Sequence, residues 1–269
     1  MHLVIDVDAI KLLGSPVRDG RWPMPTCAHC LKGQVVVENP HKVQNAESKR
    51  ANEERPDEWE PEWIFGLFTA TGRCLNQGCT EPVILTGRYR IDLTGDRDEY
   101  DDYFELEYAT PPLAIMTFAS GTHAEVQEGV TRAAGLLFAD PPSAANALRA
   151  TVERFLTVAE IPSTEPKKNS SESTFLSAHA RIERWREQTG NEQVADLLLA
   201  VKWIGNDGSH EVSNLTVAQV LDGVTFLERA FRLLYDSSGE DIDAAARAIN
   251  ANRGHEKPTL NRIKKRQSP

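Results

Sequence analysis

The sequence predicts an α+β protein in which a small antiparallel β region precedes an all-α bundle. Three observations carry this expectation. All four cysteines fall in the first third. The same third holds short stretches rich in β-branched and aromatic residues, with turn residues such as Gly72, Gly87 and Gly95 near their ends. After Pro111-Pro112 the apolar spacing changes from two to about three and a half. The organisation expected is an N-terminal extension over 1–21, a β-rich region over 22–118 with a mobile excursion near 41–62, a helical domain over 119–250 and a basic, disordered tail over 251–269.

In chain order, strands are expected at 34–37, 63–71, 83–93 and 103–108, followed by an extended stretch at 113–118. Between the first two strands, HKVQNAESKRANEERPDEWEPE has almost no apolar residues and is expected to bury no face. Thr122 with Glu125 reads as a capping box for a first helix that places Val126, Val130, Ala133 and Leu137 on one face and ends before Asp140-Pro141-Pro142. Ser143 is expected to cap a second, which turns Leu148, Val152, Phe155 or Leu156, and Ala159 inward and stops at Pro162, before the polar loop STEPKKNSSES.

A third helix over 174–188 (Leu176, Ile182, Trp185) and a fourth over 191–204 (Val194, Leu197, Leu198, Val201) are joined by Thr189-Gly190, a turn short enough to make them antiparallel neighbours. The fifth, over 216–235, spaces Val217, Val220, Val224, Leu227, Phe231 and Leu234 by threes and fours, a seam that suits bundle or dimer packing. A short acidic-then-apolar helix is expected over 241–250.

The chain has 269 residues, 40% of them hydrophobic, which is ordinary for a protein with a buried core. Its formal charge of -10 argues against a general nucleic-acid coat, because phosphate binding needs cations to replace released counterions. A solvated face explains the acid-rich run 96–107, and a disordered tail explains Arg253, Lys257, Arg262, Lys264, Lys265 and Arg266. No apolar run is long enough to span a bilayer, and the start lacks a basic n-region, so a cytoplasmic protein is expected.

The cysteines stand as Cys27-Ala-His-Cys30 and Cys74-Leu-Asn-Gln-Gly-Cys79, two close pairs each near a strand and a glycine. A tight turn of this kind brings two thiolates within reach of one ion, and zinc takes four such soft ligands when its task is structural. Cys27, Cys30, Cys74 and Cys79 are therefore the candidate ligands of a structural zinc. Two disulfides or four unrelated buried thiols are the alternatives, and a cytosolic setting disfavours the former. His29, inside the first knuckle, is expected beside the site or at the surface.

Three blocks of the C-terminal half, AANALRATVERFL at 144–156, FLSAHARIERW at 175–185 and LLLAVKWIGNDGSHE at 197–211, resemble the DUF4145 family, a bacterial domain of unknown function. Some relatives carry a cysteine-knuckle β region in front. The family is similar to the HEPN superfamily of helical nucleotide-binding and ribonuclease domains, and that likeness implies a HEPN-like bundle, a homodimer and a bacterial defence setting. Ribonuclease members place an Arg, usually followed by a polar residue, and then a His at the dimer cleft, where a cation holds the scissile phosphate and an imidazole moves the proton. Asn206 and His210 match the polar residue and the His, but Gly205 occupies the place of the Arg. Lys202 and Arg149 are the substitute cations nearby, and Arg149 with Glu153 has the spacing of an ordinary helical ion pair.

Two functions follow as expectations. The first is a non-catalytic component that binds RNA, DNA or a partner protein. The second is a metal-independent endoribonuclease using His210 with Lys202 or Arg149. A purely structural role for IGNDGSHE is also open, with Gly205 as a left-handed C-cap, Asn206 and Asp207 in a turn, and His210 bonded to a carbonyl or carboxylate. Trp185 and Trp203 are assigned to packing. No phosphate-binding glycine loop, nucleophile elbow or metal-hydrolase motif is present.

Overall fold

The computed structural model describes residues 5–94, 99–166, 173–208 and 214–235. The expected helix over 241–250, the basic tail and His210 lie outside the described residues. The mixed α+β architecture is as expected, with the sheet first and the helices after it.

The N-terminal extension is not a bare leader. It holds helix α1, Val7–Leu13, whose cap Asp6 accepts a hydrogen bond from the Ala9 N–H and whose Ile10 and Leu13 are buried. Strands β1 (Val17–Arg18), β2 (Val35–Gln44), β3 (Phe65–Cys74), β4 (Pro82–Thr94) and β5 (Glu99–Thr110) form one antiparallel sheet in the order β1-β5-β4-β3-β2. Alternation along β3 and β4 puts Phe68, Ala70, Cys74, Val83, Leu85 and Tyr89 on the buried face and leaves Leu67, Ile84 and Arg88 outside. Trp22, Phe68 and Phe104 meet there with ring centroids 5.0 to 5.8 Å apart. Each such ring contributes about 1.5–3 kcal/mol by leaving water.

The excursion near 41–62 is more structured than its composition suggested. β2 runs through Gln44, and helix α2, Ala46–Glu54, follows, capped by Asn45. The helix buries Ser48 alone, and that hydroxyl donates to the Trp63 carbonyl at 2.5 Å, so a polar residue anchors a segment that has no apolar face. Of the acidic run, the described carboxylates at 101, 102, 105 and 107 are paired with cations. Asp101 meets Arg18, Glu105 meets Arg90 and Glu107 meets Arg88, while Lys42 of β2 reaches Asp102 of β5 past the ring of Tyr89.

The helical half comprises α3 (Ala124–Leu136), α4 (Pro141–Val158), α5 (Ala178–Thr189), α6 (Glu192–Asp207) and α7 (Val217–Tyr235). Several ends differ from expectation. α3 begins after His123 with no side-chain cap, and Thr122 Oγ1 is buried without a hydrogen-bond partner among the described residues, so the expected capping box does not form. Asp140, not Ser143, caps α4 by accepting from the Ser143 N–H, with Pro141 in the first turn. The polar loop pairs its ends as β6 (Thr164–Pro166) and β7 (Ser173–Phe175), which delays α5 until Ser177 caps it. Gly190 closes α5 in the left-handed conformation, φ 67°, and gives the short reversal into α6.

Arg181 was not expected in the interior. It is buried at the end of α4 and donates to the carbonyls of Glu153 and Ile161 and to Thr157 Oγ1 at 2.8–3.2 Å, tying the last turns of α4 to the chain that leaves it. The α7 seam is buried within this same chain from Val217 to Phe231, so the bundle consumes the face that also suited a dimer. The sheet and the helices share one continuous core, and α1 lies against α7, where Lys11 faces Asp222 at 3.8 Å.

Candidate functional site

The two cysteine pairs are brought together by pairing of β2 with β3. Val35 sits opposite Cys74, the last residue of β3, and a bridge between Thr26 and Gln34 carries the first knuckle onto the same end. Within the first knuckle the Leu31 N–H donates to the Cys27 carbonyl at 2.9 Å, with Leu31 at φ 54°, and Cys27 N–H donates to the Gly33 carbonyl at 2.8 Å. In the second, the Asn76 N–H points at Cys74 Sγ at 3.4 Å, and Cys79 N–H donates to the Asn76 carbonyl at 2.8 Å. Gly33 has no substitute here, since a Cβ on it would stand 2.6 Å from Cys74 Sγ.

All four sulfur atoms lie within 4.8 Å of one another, with Cys27–Cys79 at 3.8 Å and Cys30–Cys74 at 3.6 Å, and all four cysteines are free. Those separations fit a tetrahedral ion, because sulfur at ~2.3 Å from a central metal gives edges of ~3.8 Å. The thiols are unequal. Hydrogen bonds from the Asn76 side chain and the Lys32 and Gly33 backbone hold Cys30 down at about 5, whereas burial pushes Cys74 up to about 12. Four neighbouring thiols cannot all ionise alone, and a bound dication compensates the charge that burial opposes. His29 stands beside the cluster with Nδ1 3.5 Å from Cys79 Sγ. Four sulfur donors around one point would fill the tetrahedral positions of such an ion, an arrangement that suits holding a fold. A cavity of about 360 Å³ lies next to it, between the first knuckle, the stretch from Pro111 to Phe118 and α3.

The second candidate region is the crossing of α4 and α6. Gly205 is inside α6 and buried, not a left-handed C-cap, and the helix runs on through Asn206 to Asp207. A Cβ at Gly205 would come 2.4 Å from Arg149 Cβ and 2.9 Å from the Ala145 carbonyl oxygen, so the glycine lets the two helices touch. Arg149 pairs with Glu153 at 3.1 Å, as its spacing predicted. Lys202, one turn before Gly205, is buried, and burial together with the neighbouring Arg149 charge lowers its pKa. Its Nζ lies 3.1 Å from the centre of the Trp203 ring. Trp185 is core, edge-on to Phe155, but Trp203 is 53% exposed and does not serve packing. The structure thus groups Lys202, Arg149, Glu153 and Asn206 near one crossing, whereas their relation to His210 lies outside the described residues.

Among the described residues no helix is long and apolar enough to cross a membrane. Residues 131–265, half of the chain, match the family model described as "Domain of unknown function (DUF4145)", and residues 16–111, which contain the sheet and both knuckles, match a second described as "Domain of unknown function (DUF8608)". No curated protein and no solved structure matches the chain.

Proposed function

This chain belongs to the DUF4145 family, whose description names no activity, and from its own residues we propose that it is a zinc-stabilised, non-catalytic binding component. The observation that carries the reading is the packing of Gly205. The position at which a HEPN-type ribonuclease needs its cation is a buried glycine pressed against Arg149 and the Ala145 carbonyl, with no room for a longer side chain. Zinc is the ion favoured by four sulfur ligands at tetrahedral spacing, and its role is to hold the knuckles to the sheet. The binding half is the helical bundle, acting on a partner protein or a nucleic acid, and its resemblance to HEPN-like domains supports a place in bacterial defence.

Lys202 and Arg149 beside Asn206 support the rival reading of a metal-independent ribonuclease. Incubation of the purified protein with total RNA, alongside a His210→Ala variant, separates the two. The binding reading expects intact RNA in both samples. Cleavage that survives a chelator and disappears in the variant refutes it.

A further inference from the structure

Lys202 is 8% exposed, yet among the described residues no carboxylate lies within ion-pair distance of it. Among the described residues the neighbouring charge it feels is a like one, Arg149, and its Nζ lies over the Trp203 ring. The ring meets one side of the ammonium and leaves it able to accept an anion as well. Beside it, Trp203 leaves half of its surface in solvent, with the His179 ring 6.1 Å away and tilted against it by 47°. An exposed tryptophan next to a largely buried lysine has the composition of an interaction hot spot.

The chemistry of an anion that could join Lys202 is constrained by charge. A nucleic-acid strand presents a row of phosphates and needs a row of cations, but here Arg149 is already engaged by Glu153 at 3.1 Å and the chain carries -10 overall. One carboxylate flanked by an apolar side chain needs only Lys202 and a ring to rest on. We infer that the Lys202–Trp203 strip docks a partner protein through a single Asp or Glu side chain placed next to an aliphatic one, the carboxylate on Lys202 and the aliphatic group on Trp203. The inference rests on the binding reading above and names the class of its partner.

A phage-displayed random peptide library selected on the full-length, metal-loaded protein tests it. The expected result is enrichment of Asp or Glu beside Leu, Ile or Val. Synthetic versions of those peptides then bind roughly tenfold or more weakly to Trp203→Ala and to Lys202→Met, which keeps the aliphatic stem but not the charge. Unchanged metal content and melting temperature show that the variants are folded. Recovery of no peptide, of peptides without an acid, or of peptides that bind both variants as tightly as the parent overturns the inference and leaves the binding reading standing. A labelled oligouridylate that binds the parent and is released by both variants also overturns it, by assigning the strip to nucleic acid. Cleavage of that oligonucleotide refutes the binding reading itself.

Discussion

Replacing Gly205 by alanine tests the helix crossing on which the functional reading depends. The new Cβ would stand 2.4 Å from Arg149 Cβ and 2.9 Å from the Ala145 carbonyl oxygen, and neither is the free end of a flexible side chain. Carbon atoms rest at about 3.5–4.0 Å, so α4 and α6 must part by roughly 1 Å along a seam that includes Ala145, Leu148 and Leu198, all buried. Forced overpacking of this kind costs about 1–3 kcal/mol, against a gain of about 1 kcal/mol for alanine over glycine inside a helix. With two rigid neighbours the upper part of that range applies, leaving a net loss of about 1–2 kcal/mol and a fall in melting temperature of roughly 5 °C for a chain of this size. Gly135 in α3 is the control, because a Cβ there meets only Pro112 Cγ at 3.6 Å. Gly135→Ala is expected to raise stability by up to about 1 kcal/mol. Thermal melts and urea midpoints measure both. Were Gly205→Ala to melt at or above the parent, or Gly135→Ala to fall as far, the close crossing would not be what the glycine provides, and room for a motif Arg would reopen.

Elemental analysis is expected to find one zinc per chain, lost in Cys27→Ser or Cys74→Ser while far-UV circular dichroism keeps the helical signal; a variant that retains its metal would remove those sulfurs from the ligand set. Arg181→Leu deletes three hydrogen bonds at the end of α4, one buried and two part-buried, and is expected to cost about 3 kcal/mol by urea denaturation, so a loss below about 1 kcal/mol would contradict the role assigned to it. Arg18 bonds Asp101 and holds its carboxyl below the usual carboxylate range. Stability from that pair is full above the unfolded carboxylate value, ~3.9, and is lost as pH falls through the lower folded value. Asp101→Asn should therefore lower the urea midpoint at neutral pH, and its deficit should close in acid below that range. An equal deficit at both pH values would point to packing instead.

What was legible in the sequence followed short-range chemistry. The cysteine pairs could be read because a knuckle is a local turn, and the inward faces Val126–Val130–Ala133–Leu137 and Val220–Val224–Leu227 because a helix repeats its own period. Helix ends were harder, since several residues compete for one terminus. Thr122 and Glu125 had the capping-box pattern and do not form it, while Thr216 and Gln219 do, with the Gln219 N–H on Thr216 Oγ1 at 3.3 Å and the Thr216 N–H on Gln219 Oε1 at 2.9 Å. The excursion looked unstructured because apolar content is the signal for burial, and α2 is held by one serine hydroxyl. Trp203 looked like core because aromatic residues beside aliphatic ones usually are, and only the path of α6 turns it outward. Gly205 read as a helix stop because glycine does end helices. That it instead admits a neighbouring helix depends on α4, which is remote in sequence.

The contact of α1 with α7 bears on the order in which the molecule can be finished. Gly14, at the end of α1, lies against Val217 with no space for a Cβ, and Lys11 faces Asp222. A ribosome delivers α1 before, and α7 after, every other described element, so the underside of α1 waits for its cover until all of them are made. The knuckles and the sheet are complete well before that moment, and metal capture can precede closure of the core. The last described helix thus acts as a keystone for α1, and shortening the chain within α7 should strip the N-terminal segment of part of its apolar cover.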